Sequence, residues 1–251
     1  MYKFKLKPEL MERIQATRQN PKWEPDIVIR IAENKEKAKA EDIRDKSNIK
    51  VYTDSLGVDR YIGATAVLYQ DGVLKRTRLG SVKHHTVYKG EGIGLILGVE
   101  LIREEEMAEG MVPLGIDNVA AISATMAIKL TPSHYIWDIL PQRVAMTYNK
   151  HKKLDLLVKW TPGHMGIIGN KRADEEVKKA TRDGLSLLIK LLVPLRKTLP
   201  QSKSATKQEH MLKLKVAALD LWKGSIRYER MMCIDSEFKH DTFIKLIHKL
   251  H

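Results

Sequence analysis

Three short runs follow one another with little between them: Ile49-Lys-Val-Tyr-Thr-Asp54, Ile62–Tyr69 and Val73–Leu79. In the first, apolar and polar residues alternate up to a polar stop, and the other two read as strands of similar length. A period of two turns one side of the chain toward a core and the other away, which predicts strands. Asp71-Gly72, between the second and third runs, is a hairpin turn signal. A domain that opens this way begins with three antiparallel strands, and the rest of the chain must cover them.

The period then changes. From Thr86 to about Met107, Val87, Ile93, Leu97 and Leu101 share one helical face with the small Gly94 and Gly98. Gly90, Gly92, Gly94 and Gly98 each cost about 1 kcal/mol of helicity relative to Ala, a cost that fits close approach of the helix to a sheet. Val112–Asp117 predicts a short strand ending in an acid, and Asn118–Ile128 a short helix. Pro132 to about Tyr148 predicts a helix that Pro141 must kink or divide. Leu154–Trp160 predicts a strand and Asn170–Arg182 a helix. The order βββαβααβα predicts an α/β fold, a five-stranded mixed sheet with helices on both faces.

Composition separates three stretches: a charged lead-in over 1–46, the α/β domain over 47–183, and a basic, mostly helical extension over 184–251. In the lead-in, Leu10–Gln19 and Ile31–Arg44 read as helices, Pro21 and Pro25 interrupt, and the whole reads as poorly packed. In the extension, Ala205–Arg230 reads as a helix with Leu212, Val216, Leu219 and Trp222 at helical spacing, and Phe243–Leu250 as a last helix. The net charge of +13 fits a polyanionic partner. Gly184 to His251 holds thirteen Lys and Arg against six Asp and Glu, so the excess is concentrated there. The single cysteine, Cys233, forms no internal disulfide and reads as a small buried side chain. Lysines occupy the N-terminal MYKFKLKPEL where a secretion signal needs apolar residues, and no apolar stretch is long enough to span a bilayer. The expectation is an intracellular chain, neither secreted nor bound in a membrane.

Four acids sit where this architecture can gather them: Asp54 ending the first strand, Glu91 early in the long helix, Asp117 ending the fourth strand, and Asp174 near the start of the last helix. Strand ends and helix starts meet at one edge of an α/β sheet. Taken singly each has a plain structural use. Asp54 can cap a turn, Asp117 can cap the helix beginning at Asn118, Glu91 can be an exposed helix residue, and Asp174 can favour a helix N-terminus. Together they repel one another unless cations neutralise them. Magnesium, a hard ion that prefers oxygen ligands, is the natural partner, with manganese as a substitute. Two such ions hydrolyse a phosphodiester without a covalent nucleophile. Trp160-Thr-Pro-Gly-His164 runs from strand to loop beside Asn170-Lys-Arg-Ala-Asp174, and His164 suits proton transfer or product release.

These segments resemble type 1 ribonuclease H. Val-Tyr-Thr-Asp54-Ser, His85-Thr-Val-Tyr-Lys-Gly-Glu91, Gly-Ile-Asp117-Asn and Trp160-Thr-Pro-Gly-His164 through Asp174 occur in the family's order. In detail they look like the ribonuclease H domains of fungal non-LTR retrotransposons, which lie downstream of a reverse transcriptase. The likeness covers about Asn48 to Thr181. It implies a ribonuclease H-like fold and hydrolysis of the RNA strand of an RNA–DNA hybrid. It implies two magnesium ions on Asp54, Glu91, Asp117 and Asp174, with His164 assisting turnover. Ser55 and Asn118 are the implied substrate contacts, the hybrid is the implied partner, and a reverse transcriptase domain is an implied neighbour in the parent element. Recognition of the hybrid would rest on its shape and its 2′-hydroxyls.

The chain departs from the family in places. Ser55 and Leu56 follow the first acid where the family usually has Gly, and a missing Gly there can disturb backbone approach. Lys89 and Gly90 stand where related elements carry an acid and a small residue, and Lys89 is expected to weaken metal binding nearby. Thr131–Lys150 has room for one helical element, so a separate basic handle is absent and the basic extension is its expected substitute. A rival reading is a catalytically impaired retroelement remnant that only binds nucleic acid. Another is an integrase-like relative, against which the Trp-Thr-Pro-Gly-His loop and Asn-x-x-Ala-Asp spacing argue.

Overall fold

The computed structural model describes residues 7–13, 26–69, 72–126, 133–182 and 186–234. The chain forms two compact units, Met1–Thr206 and Lys207–His251. The first is built on one mixed sheet of β1 (Val28–Arg30), β2 (Val51–Val58), β3 (Tyr61–Leu68), β4 (Leu74–Ser81), β5 (Gly110–Ile116) and β6 (Leu154–Trp160). The spatial order is β1-β6-β5-β2-β3-β4. The strands β2, β3 and β4 are antiparallel, as three consecutive strands with a hairpin turn signal predict, while β2, β5, β6 and β1 run parallel. The α/β class with helices on both faces is as expected, but the sheet has six strands, not five. β1 is only three residues long, too short to carry a readable period, and it comes from the lead-in.

Between the strands run α1 (Lys35–Arg44), α2 (Val87–Glu104), α3 (Val119–Thr125), α4 (His134–Lys150) and α5 (Ile168–Arg182). α1 begins four residues later than its charge pattern suggests because Asn34 caps it, its side chain accepting from Lys37 N at 2.8 Å. α2 is capped by Thr86, whose hydroxyl accepts from Lys89 N at 3.2 Å. Its glycines do permit close approach: a Cβ on Gly98 would lie 2.6 Å from Leu114 Cδ1. α4 is one helix with Pro141 inside it. The Asp71-Gly72 turn, the helices expected over Leu10–Gln19 and Phe243–Leu250, and the end of that over Asn118–Ile128 lie wholly or partly outside the described residues. Pro8–Leu10 is a 3-10 turn and Met11 bridges to Gln201.

The larger core lies between the sheet and α2 and α4. Ile93, Leu97, Leu114, Ile116, Ile136 and Leu156 are fully buried there, each contributing about 2 kcal/mol of transfer free energy. Leu191, Leu192, Leu195 and Leu199, from the expected extension, pack into the same core. A smaller cluster of Tyr52, Val67, Ile167 and Ala173 packs α5 on the other face.

The expected lead-in is better packed than its composition suggests. Tyr52 Oη donates to Asp42 Oδ1 of α1 at 3.0 Å, and Lys159 Nζ bridges Asp42 and Asp45 at 2.8 and 2.9 Å. Glu12 is buried. Its carboxylate accepts from Ser133 N at 2.9 Å and from Lys203 N at 2.8 Å. A composition count cannot see such a group, because one acid supplies the partner for two backbone donors far away in sequence.

From Lys203 the chain is helical, α6 (Lys203–Lys223) then α7 (Tyr228–Ile234), with the Trp222 and Tyr228 rings edge to face at 6.4 Å. Cys233 is exposed rather than buried, because α7 buries none of its residues. Among the described residues no helix is long and apolar enough to cross a membrane.

Candidate metal centre

The pairing of β2 with β5 assembles the first two acids. Thr53 is in register with Ile116, so Asp54 and Asp117, each one residue further on, emerge side by side where this ladder stops. Asp54 does not end its strand: β2 continues to Val58 against β3. Asp54 instead marks the point at which β2 loses its parallel neighbour. Two further bonds continue the parallel edge past the strands, Thr161 N to Ile116 O at 2.7 Å and Trp160 Nε1 to Asp117 O at 3.0 Å. Asn118 caps α3, its Oδ1 accepting from Ala121 N at 3.1 Å. The helix therefore makes no demand on Asp117.

α2 delivers the third acid. Gly94 faces Thr53 and the Asp54 carbonyl closely enough that a Cβ would be 3.4–3.6 Å from them, and Glu91 lies one turn earlier on that face. It is not an exposed helix residue but 2% accessible. One ligand oxygen from each of Asp54, Glu91 and Asp117 lies within 4.8 Å of the others. Ser55 Oγ lies 2.6 Å from Glu91 Oε1 and 2.9 Å from Val87 O. Glu91 Oε2 is buried with no hydrogen-bond partner.

The electrostatics match the crowding. Burial and then the neighbouring Asp117 and Asp174 charges push Asp54 up to about 8. Burial and the Asp117 charge push Glu91 well above the usual carboxylate range. Asp117 is raised too, again chiefly by burial, while His164 pulls it back. A buried carboxylate oxygen with no donor is costly, and a divalent cation is the partner that the all-oxygen set fits.

Asp174 and His164 line the same open cleft, of about 420 Å³, with Asp54, Ser55, Asp117 and Asn170. Asp174 is not in the tight group of three; its carboxylate is ion-paired with Lys178 at 2.6 Å. His164 sits in the left-handed region at φ 60°, which holds the strand-to-helix loop in a sharp bend.

Asn170 is a residue that the sequence reading passed over. It is buried, its Oδ1 has no partner, and it lines the cleft. Its signal was present: it precedes Asp174 by four residues and so shares its helical face. Lys89, by contrast, belongs to a different environment. Its ammonium lies 3.1 Å from His85 Nδ1, also bonds Pro200 O, and stands 5.1 Å from the Tyr135 ring centre. Two residues along a helix are rotated by about 200°, so proximity in sequence to Glu91 is not proximity to the acids.

No family model matches the chain, and no curated protein matches it. Among solved structures, the RNase H1 of the halophilic archaeon Halobacterium salinarum NRC-1 is similar over 53% of this chain and 96% of its own, at 17% identity and a TM-score of 0.39. LC11-RNase H1, solved in complex with an RNA/DNA hybrid, is similar over 55% of this chain and all of its own, at 18% identity and a TM-score of 0.41.

Proposed function

We propose that the chain is a divalent-metal-dependent nuclease that hydrolyses the RNA strand of RNA–DNA hybrids. The observation that carries this reading is the group of Asp54, Glu91 and Asp117 oxygens within 4.8 Å, with one buried Glu91 oxygen unpartnered. The motif segments of the ribonuclease H resemblance supply the substrate class. Asp54, Glu91 and Asp117 would hold the metal, with Asp174 at the open side of the cleft. When bound there, the metal, two magnesium ions in this reading, would supply activation of a water and neutralisation of the leaving oxygen.

The chain's own residues do the rest. The cleft admits a backbone phosphate, and Lys171 on its rim favours the polyanion. Asn170 lines the cleft, where a polar side chain is placed toward the sugar hydroxyl that tells RNA from DNA. His164 takes or returns a proton beside Asp117. Asn118 spends Oδ1 on α3 and keeps its amide nitrogen for a substrate contact. The origin of the chain in a retrotransposon, beside a reverse transcriptase, belongs to the same reading.

The Lys178 pair on Asp174 favours a second reading, an impaired remnant that binds the hybrid without cutting it. One assay separates the two. End-labelled RNA in a hybrid, with duplex DNA alongside, is incubated with magnesium and with either wild type or Asp117→Asn. Cleavage of the hybrid RNA alone, lost in the variant, is expected. Hybrid binding with no cleavage, or equal cleavage by the variant, would leave the remnant.

A further inference from the structure

We infer that Ser55 is a positioning residue that sets the metal-binding face of Glu91, and that Gly90 makes room for it. The inference rests on the metal reading of the site. Ser55 and Glu91 are both nearly inaccessible, at 5% and 2%. The single hydroxyl proton of Ser55 has two acceptors in reach, and the nearer is Glu91 Oε1, at 2.6 Å against 2.9 Å for Val87 O. A hydroxyl bonded to a carboxylate is a strong, short contact. It ties down one oxygen of Glu91 and leaves the other, Oε2, as the one without a partner.

The space for this contact exists because of the residue before Glu91. A Cβ on Gly90 would lie 2.7 Å from Ser55 Cβ, 3.0 Å from Ser55 Oγ and 3.3 Å from the Gly63 carbonyl oxygen. The first two distances leave β2 and α2 sharing a gap that holds one side chain's first carbon. Here the strand fills it and the helix leaves it empty. The Ser at 55 and the Gly at 90, far apart along the sequence, are one arrangement in space. Ser55 is thereby spent on Glu91 rather than on substrate. Its hydroxyl does not touch the reacting atoms; it acts by orienting an acid that would, as partners around metal ligands commonly do.

Manganese titrated calorimetrically into the full-length chain tests this. Ser55→Ala should bind manganese about tenfold more weakly than wild type. Gly90→Ala alone should lower the melting temperature through the clash with Ser55. The exchange Ser55→Gly with Gly90→Ala moves the carbon across the gap, and should recover the melting temperature while keeping the weak manganese binding. Recovery of both would show that packing, not the hydroxyl, matters, and would overturn the inference. So would wild-type affinity in Ser55→Ala. A wild type that binds no manganese at all would remove the metal reading itself, and this role with it.

Discussion

The Lys178 ammonium lies 2.6 Å from Asp174 Oδ2, one turn further along α5, and so occupies a carboxylate that otherwise faces the other acids across the cleft. Lys178 is on the surface, and its cation competes with any metal for Asp174. Lys178→Ala should therefore tighten manganese binding by about threefold at low salt, on the scale of surface charge pairs, with the gain shrinking as ionic strength rises. Calorimetric titration at two ionic strengths checks it. Weaker binding in the variant would mean that Lys178 holds Asp174 in place for the metal.

The acids themselves predict an unusual pH dependence. Asp54 titrates at about 8 in the folded chain, whereas an unfolded carboxyl titrates near about 4. Between those values the folded, metal-free chain holds more protons than the unfolded one. Stability from this group is present at low pH and is lost as pH rises through about 8; Glu91 acts in the same direction. Metal takes the place of the protons, so its affinity should climb from about pH 6 to pH 8 with proton release. Melting curves across that range, for wild type and Asp54→Asn, should show a metal-free decline that the variant flattens. A decline of the same size in both would remove Asp54 as its source.

Glu12 gives a stability prediction remote from the cleft. Its two oxygens accept from Ser133 N and Lys203 N, at the starts of α4 and α6. Glu12→Ala leaves both donors without their partner, that of Ser133 in the interior, and should cost about 2 kcal/mol, read from the shift of the urea midpoint. Hydrogen exchange at Ser133 and Lys203 should accelerate in the variant. A change below about 0.5 kcal/mol would mean that water replaces the carboxylate at both sites.

Much of this architecture was legible along the chain because it follows from period. The alternation at the start of β2, the turn signal between β3 and β4, and the glycine-marked face of α2 each carry their own local signal. The acids were legible only in part: Glu91 lies early in α2 and Asp117 directly follows β5, whereas Asp54 sits within β2 and Asp174 about two turns into α5, because β2 runs on against β3 and α5 starts at Ile168. Pairing across sequence was not legible. Nothing local says that β1 joins the sheet, that Leu191 to Leu199 close the core, or that Glu12 reaches Ser133. The direction of a side chain was not legible either. Lys89 stands two residues from Glu91 and was expected to act on the metal, yet helical rotation sends it to His85 and Tyr135. Ser55 was read as a lost glycine, and only the facing Gly90 shows why a side chain is accommodated there.

The most direct test of the central claim is a crystal of the chain soaked in manganese and measured at the metal's absorption edge. Anomalous density bonded to oxygens of Asp54, Glu91 and Asp117 together, with Glu91 contributing Oε2, is expected. Side chains splayed apart with no density between them, at a manganese concentration that saturates the calorimetric titration, would contradict it.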